Sequence, residues 1–397
     1  MLWTVGCIAG LFILLILVSF IFYPPQYVYR VLVWQESDYY DYLNNFPNRS
    51  LEAAPMPFYF DKETDDERVS GIFKTILDID DFDAFLERAD TQAFIVIQDD
   101  VILFENYFNG ASRDSLVTSF SVAKSFTSAL VGIAIADGHI NSMDDAITDY
   151  LPELLERDSR FGNITIRHLL MMASGLDYKE NRLFLLNGDD PLTTYYPDQR
   201  KAALEFTHII DPPGEYFQYN KYHPQLLGMI LERATGNTVT GYLQDKLWDP
   251  LGMEFGGSWS IDSEQSGFEK MEAEINARAI DFAKLGRLYL ENGNWNGVQV
   301  ISSEWVAEST QVDQSIHQAS YYPGAQAFND SGGYYQYMWW GFSKSNDSYD
   351  FVALGDHGQY IYIPPQNNLL IIRNGLSYGD VDWIKLFDDF AGEIIKP

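Results

Sequence analysis

A serine and a lysine three residues apart are the side chains of this protein best suited to chemistry. They are Ser121 and Lys124, in the run Phe120-Ser121-Val122-Ala123-Lys124-Ser125-Phe126-Thr127. A serine hydroxyl is a weak nucleophile at neutral pH. It needs a base within hydrogen-bond reach and a site that stabilises developing negative charge. A helix places residues i and i+3 on one face, so Lys124 can be that base. The start of a helix also brings free N–H groups and a partial positive charge to the serine oxygen. A bare Ser-x-x-Lys arises by chance about once in a chain this rich in serine. The context distinguishes this one. Ser125 to Ala136 is apolar or small on every face and ends at Asp137-Gly138. That pattern predicts a helix buried in the middle of a domain, with a lysine at its head. The plainer reading of such a lysine is a chain that snorkels to water from the helix end.

Elements at both ends of the chain must position that helix. Ala93 to Gln98, Asp99-Asp100, and Val101 to Phe104 read as a β-hairpin with a two-residue turn. Gln359 to Ile363, a Pro364 to Asn368 turn, and Leu369 to Arg373 read as a second hairpin. Phe82 to Ala89 suits a short helix. Asp380 to Ile395 is an amphipathic helix with Trp383, Leu386, Phe387 and Phe390 on one side. The middle, about 119–310, reads mostly as helices and loops. Strands at both ends with helices between them imply one sheet built from both termini and a helical insertion, an α/β (α+β) class.

Composition narrows the function. The 397 residues are 46% hydrophobic and 15% aromatic, enough for a substantial core. The formal net charge of −31 argues against nucleic acid or an anionic membrane surface as partner. The single cysteine, Cys7, excludes disulfides and four-cysteine zinc sites. The six histidines show no His-x-x-x-His spacing, so no metal and no cofactor is expected. Leu2 to Tyr23 is almost wholly apolar, and no charge appears before Arg30. It is long enough to cross a bilayer and lacks the basic start of a cleaved signal. The expected organisation is a transmembrane anchor over 1–24, a spacer and packed N-terminal extension over 25–70, and a catalytic domain over 71–397.

Over roughly residues 70–397 the chain resembles the serine β-lactamase and penicillin-binding-protein superfamily. The resemblance is to the class C-related branch of esterases, D-amino-acid-specific peptidases and 6-aminohexanoate-dimer hydrolases. Phe120 to Gly138 carries it, with Ile164-Thr165-Ile166-Arg167-His168-Leu169-Leu170-Met171-Met172-Ala173-Ser174-Gly175-Leu176. So do Pro213-Gly214 to Gly228, Ala279 to Gly297, and Gly355 to Pro365. It implies a β-lactamase/transpeptidase-like fold, a mainly antiparallel sheet flanked by helices plus an all-helical region, with the cleft between them. It also implies a domain outside the cytoplasm, periplasmic or extracellular.

The superfamily's second motif, Tyr-x-Asn after a Pro-Gly turn, falls on Tyr219-Asn220-Lys221. The resemblance makes Tyr219 a proton carrier beside Lys124; taken alone it is one of 26 tyrosines. Lys221 stands where the family has asparagine, and Asn220 lies one place early as a substrate-binding candidate. The third motif falls on Gly355-Asp356-His357-Gly358-Gln359. Gly358 admits close backbone approach, and the N–H groups of Gln359 and Ser121 form the implied oxyanion hole. Asp356 replaces the cation that holds a substrate carboxylate, which favours a neutral ester, an amide or an amine-bearing substrate. His357 lines the cleft, and His168 reads as a satisfied structural histidine. In Tyr334 to Trp340, Trp340 is a candidate apolar wall, against the plainer reading of a buried strand.

The reading is a serine hydrolase acting on a small ester or amide through an acyl-enzyme. Three alternatives stand beside it. One is a D,D-peptidase or β-lactamase proper. Another is a Ser-His-Asp triad using His357 with Asp356 or Asp281. The third is a non-catalytic anchored binding protein of the same fold.

Overall fold

The computed structural model describes residues 14, 16–34, 39–179, 188–323, 326–344 and 348–395. Its principal sheet has eight strands in the order β10-β11-β12-β13-β14-β3-β4-β2. These are Gly333–Gln336, Trp339–Ser343, Tyr349–Gly355, Gln359–Ile363, Leu369–Gly375, Thr91–Gln98, Val101–Tyr107 and Asp61–Lys62. Every pairing is antiparallel except the short β2–β4 contact. Both expected hairpins are present, as β3–β4 and β13–β14. Asp99 and Asp100 have φ of 51° and 63°. Two successive left-handed residues are what a type I′ turn needs, and aspartate tolerates them.

The central strands are apolar on both faces because both faces are covered. Ile95, Ile97, Leu370 and Ile372 enter one core; Phe94, Val96, Leu369 and Ile371 enter the other. Helices α3 (Asp66–Leu77), α4 (Phe82–Arg88) and α10 (Trp383–Ile394) close the second core. Aspartates 65, 81 and 382 cap them by accepting from backbone N–H groups. Phe73 stacks between Phe82 and Phe390, with centroids 4.5 and 4.2 Å away. The first core holds α5 (Ala123–Ala136), α8 (Tyr222–Thr235) and α9 (Ala279–Leu290).

The middle of the chain departs from the expected helices and loops. Strands β5 (Val117–Thr118), β6 (Gly257–Ser260) and β7 (Ile275–Ala277) lie there, in a second antiparallel sheet ordered β1-β6-β7-β5. β8 (Asn294–Trp295) and β9 (Val298–Gln299) add a small ribbon. These strands are too short to show period-two alternation in the sequence. Their consequence is local: β5 and β7 lay the segment before Ser121 alongside Glu272–Ile275.

Residues 25–70 are a built part of this domain. Helix α1 (Pro25–Val33) buries Tyr27, Val28 and Arg30, and α2 (Tyr39–Asn44) buries Tyr39. Arg30 sits over the Trp34 and Phe46 rings at 4.8 and 5.2 Å and donates to Tyr195 O at 3.2 Å. Strand β1 (Asn48–Leu51) pairs with β6. Cation–aromatic contacts hide the charge, so the extension reads as irregular in sequence. The expected span over Leu2–Tyr23 falls largely outside the described residues. Among the described residues no helix is long and apolar enough to cross a membrane.

All three motifs lie beyond residue 120, so sequence alone would allow a chain starting near Ala53. The structure gives the opposite expectation. Removing residues 24–52 strips β1 from β6 and uncovers Tyr195 and Tyr196. Such a chain should melt roughly 5 °C or more below one beginning at Pro24, in thermal scans of both. Equal melting temperatures would show that the arm adds no stability.

Candidate active site

Ser121 lies in a tight 3-10 turn, Phe120–Val122, that leads into α5. Phe120 has φ of 43°, a left-handed conformation rare for a bulky residue. The turn is fastened to β7 on its other side. Ser119 N–H donates to Ile275 O at 2.8 Å, and Ile275 N–H donates to Ser119 Oγ at 2.9 Å.

Lys124 is 1% exposed, so its chain does not reach water. Its Nζ donates to Ser121 Oγ at 2.9 Å and to the Glu272 carbonyl at 2.5 Å. The Tyr219 ring lies 5.1 Å from the same nitrogen. Tyr219 stacks on Trp340 at 5.8 Å and 25°, and meets Tyr335 edge-on at 6.0 Å. Burial, with Tyr219 beside it, holds the Tyr335 phenol well above its ordinary range. Ser121, Tyr219, Lys221, Trp340 and Asp356 all line one cleft, together with Tyr42, Asp190, Glu272 and Glu274.

Other expected site residues sit elsewhere or act differently. Asn220 is fully buried; its amide donates to Leu176 O at 3.3 Å and accepts from Tyr222 N–H at 2.9 Å. It shapes the turn before α8 and is withdrawn as a substrate contact. Lys221 makes a 2.5 Å ion pair with Asp190, on α7 (Asp189–Tyr195). Gly358 has φ of 77°, and a Cβ there would meet Arg373 Nη1 at 2.1 Å. An internal arginine therefore demands the glycine, where the sequence suggested close approach to a substrate. Arg373 is fully buried over Trp383 at 4.0 Å and donates to Gly358 O at 2.7 Å and Ala89 O at 2.6 Å. Burial lowers its guanidinium to about 9. The Gln359 amide donates to Gly375 O at 2.6 Å and its Oε1 accepts from Asn374. What Gln359 offers a substrate must therefore come from its backbone.

A Ser-His-Asp triad does not form. The His357 ring lies flat on Phe120, 4.7 Å between centroids and 13° between planes. Its Nδ1 is 3.6 Å from Asp356 Oδ1. Asp281 is buried on α9 and accepts from Glu254 and Phe255 N–H at 2.7 and 3.2 Å. His168 is structural as expected: its Nδ1 accepts from Thr165 N–H at 3.0 Å in a cap on α6 (Ile166–Leu170). Burial, then Arg167, lowers its imidazole.

Sequence reasoning missed Tyr42, Asp190, Glu272 and Glu274. No local pattern marks them, since each reaches the cleft only through tertiary packing. Lys270 Nζ bridges Glu272 and Glu274 at 2.9 and 3.4 Å. Each carboxylate keeps one buried oxygen, Oε2, without a partner among the described residues. Burial raises Glu274 to about 7, with Glu272 adding to the shift and Lys270 opposing it.

Three comparisons bear on this geometry. The family model for Beta-lactamase matches residues 80–374, and the chain belongs to that family. A 6-aminohexanoate-dimer hydrolase of Paenarthrobacter ureafaciens is 27% identical over 307 residues, 74% of each chain. The esterase EstB of Burkholderia gladioli is 30% identical over 163 residues, 38% of this chain and 41% of its own. A D-aminopeptidase of Brucella anthropi is 29% identical over 138 residues, 34% of this chain and 24% of its own. Among solved structures, a candidate 6-aminohexanoate-dimer hydrolase of Bacillus anthracis superposes with a TM-score of 0.75 at 21% identity, covering 92% and 93% of the two chains. A class C beta-lactamase superposes at 0.61 with 14% identity, over 84% and 98%. At those identities the solved structures bear on the fold: it is the alpha/beta β-lactamase/transpeptidase-like fold, and the chain is a β-lactamase-family serine hydrolase.

Glu274 makes stability depend on pH. Its native value of about 7 lies above the ordinary 4.5. Between those values the folded chain keeps a proton that the unfolded chain has released. Stability is therefore fully present below about 4.5 and declines as pH rises toward 7. Asp262, raised by burial to about 6, has the same sign. Glu274→Gln should flatten the decline seen in urea melts between pH 4.5 and 7; an unchanged slope would show that Glu274 does not titrate there.

Proposed function

We propose that the chain cleaves a small ester or amide through an acyl-enzyme on Ser121. The observation that carries this is the buried Lys124 Nζ, 2.9 Å from the Oγ of Ser121, which lines a cleft together with Tyr219 and Trp340. Ser121 Oγ attacks the carbonyl carbon and gives its proton to Lys124. The tetrahedral oxyanion takes hydrogen bonds from the backbone N–H groups of Ser121 and Gln359. Its collapse breaks the bond to the leaving oxygen or nitrogen, which leaves with a proton delivered through Tyr219. Water adds to the acyl-serine by the same route in reverse, releasing the acid and restoring the Ser121 hydroxyl.

The charge around the cleft supports a substrate class. Asp356, Asp190, Glu272 and Glu274 line it; Lys221 is paired with Asp190 and Lys270 with Glu272 and Glu274, which leaves Asp356 as the carboxylate of the four without a lysine partner among the described residues. A substrate carboxylate near the scissile bond meets net repulsion there, so neutral esters, amides and amine-bearing substrates fit better. The relatives' names, a 6-aminohexanoate-dimer hydrolase and an esterase, agree with an amide or ester substrate.

Ser121→Ala should abolish both fluorophosphonate labelling and turnover of short acyl esters while leaving the melting temperature within a few degrees. Lys124→Ala should lose a comparable factor, because groups acting as one unit are non-additive. Undiminished turnover in Ser121→Ala would overturn the mechanism. Preference of the wild type for penicillins over neutral esters would overturn the substrate class.

Residues 2–23 are proposed to anchor the chain in a bilayer, with the catalytic domain outside the cytoplasm. The support is a run without charge before Arg30, and a described part that leaves Leu17, Phe20, Ile21 and Phe22 exposed. The protein should stay in the membrane pellet after high-salt and carbonate washing. Release by either wash, or a mature N-terminus beyond residue 23, would remove the anchor.

A further inference from the structure

The residue before the nucleophile is held where it is not expected to stay unaided. Phe120 has φ of 43° and His357 has φ of 58°. A left-handed conformation is unfavourable for a bulky side chain, and it persists only when its surroundings over-determine it. Three aromatic rings provide those surroundings for Phe120. His357 stacks flat on Phe120 at 4.7 Å. Tyr42 meets Phe120 edge-on at 4.8 Å and 67°. Tyr39 reaches Phe120 at 5.8 Å. Tyr39 and Tyr42 also pack against His357, at 6.2 and 6.3 Å. Offset and edge-on contacts of this kind are favourable beyond area burial, and together they oppose the backbone cost.

Two of these three rings, Tyr39 and Tyr42, come from helix α2 in the N-terminal arm, outside the family match over 80–374. Tyr39 is 3% exposed, and its hydroxyl accepts from Thr118 N–H at 3.0 Å, two residues before the strained turn begins. On the opposite side Gly355 abuts the same turn so closely that a Cβ there would lie 2.4 Å from Ser119 O. The turn carrying Ser121 is thus clamped between the end of β12 and a pair of tyrosines supplied by the arm.

We infer that Tyr42 and Tyr39 are positioning residues for Ser121: the arm completes the catalytic site by holding Phe120 left-handed. This rests on Ser121 being the nucleophile. Tyr42 also lines the cleft, so its ring has a possible second use as a substrate wall, and the test must separate the two. A wall residue changes KM and acts independently of Phe120. A positioning residue changes kcat and acts through Phe120.

The test uses the detergent-solubilised full chain, a small dialkyl fluorophosphate and a short acyl ester. Tyr42→Leu should slow labelling tenfold or more and lower kcat by a similar factor, with KM within about threefold of wild type. Tyr42→Phe, which keeps the ring, should stay within about twofold. Phe120→Gly accepts the left-handed backbone without a side chain for the rings to hold, so Tyr42→Leu should have little further effect in that background. Additive losses in the double variant, or a change confined to KM, would overturn the inference. If Tyr42→Leu does not fold, Tyr39→Phe removes only the hydroxyl on Thr118 N–H; labelling should slow several-fold, and a wild-type rate would overturn the inference. Ser121→Ala keeps the outcomes apart. Failure of wild type to label, or labelling in Ser121→Ala, would overturn the nucleophile itself. Wild-type rates in Tyr42→Leu would overturn only the role of the arm.

Discussion

A lysine amine held out of water beside a serine oxygen is the constraint on which the rest of this structure depends. Helix α5 is buried on nearly every side, so Lys124 cannot snorkel and must find its partners inside. It finds three: the Ser121 oxygen, the Glu272 carbonyl and the face of Tyr219. Each comes from a different part of the chain. The short strands β5 and β7 deliver the carbonyl, and the turn before α8 delivers the tyrosine. The proposed catalytic geometry and the satisfaction of a buried polar group are the same arrangement.

Buried charge recurs around this centre, met by counter-charges or by hydrogen-bond acceptors. Lys270 joins Glu272 and Glu274 under the cleft, while Lys284 joins Asp281 and Glu254 behind α9. Arg373 spends its donors on carbonyls and Thr91 at the rear of the third motif. Breaking such a set from one side leaves an unpaired charge in a dry interior, typically a loss of about 3–5 kcal/mol. The acidic composition therefore has two structural fates. Most acids solvate the surface, and a few are drawn in by lysines to shape the cleft floor. The proposed preference for substrates without a carboxylate rests on that floor, and Ser121 lines the same cleft.

Tyr337 and Met338 show how packing overrules local signals. The sequence shows one aromatic run over 334–340, which reads as a wall or a buried strand. The structure folds it into a hairpin whose two turn residues have φ of 39° and 67°. Neither residue favours such a turn. Met338 N–H donates to Leu170 O at 3.1 Å, and Ser125 Oγ donates to Met338 O at 2.9 Å. Those contacts to α6 and α5 hold the turn in place. The consequence is that Trp339 is fully buried while Trp340 faces the cleft.

Sequence by itself determined the parts of this protein whose signals are local. The Asp99-Asp100 hairpin, the helices within Phe82 to Ala89 and Asp380 to Ile395, the buried helix behind Ser121 and the Ser121–Lys124 pairing all rest on periodicity or on spacing along one element. Tyr219 was legible through its motif, and so was the family. Tertiary structure decided what depends on partners distant in the chain. It turned Asn220 into a buried turn residue and made Gly358 answer to Arg373. It laid His357 flat against Phe120, out of any triad. It brought Tyr42, Asp190, Glu272 and Glu274 to the cleft from segments with no common pattern. The physical reason is the range of the forces involved. Backbone periodicity and capping act within a few residues and leave a trace in sequence order. Ring stacking, buried ion pairing and the clamping of a left-handed residue act between segments that only the folded chain brings within a few ångströms.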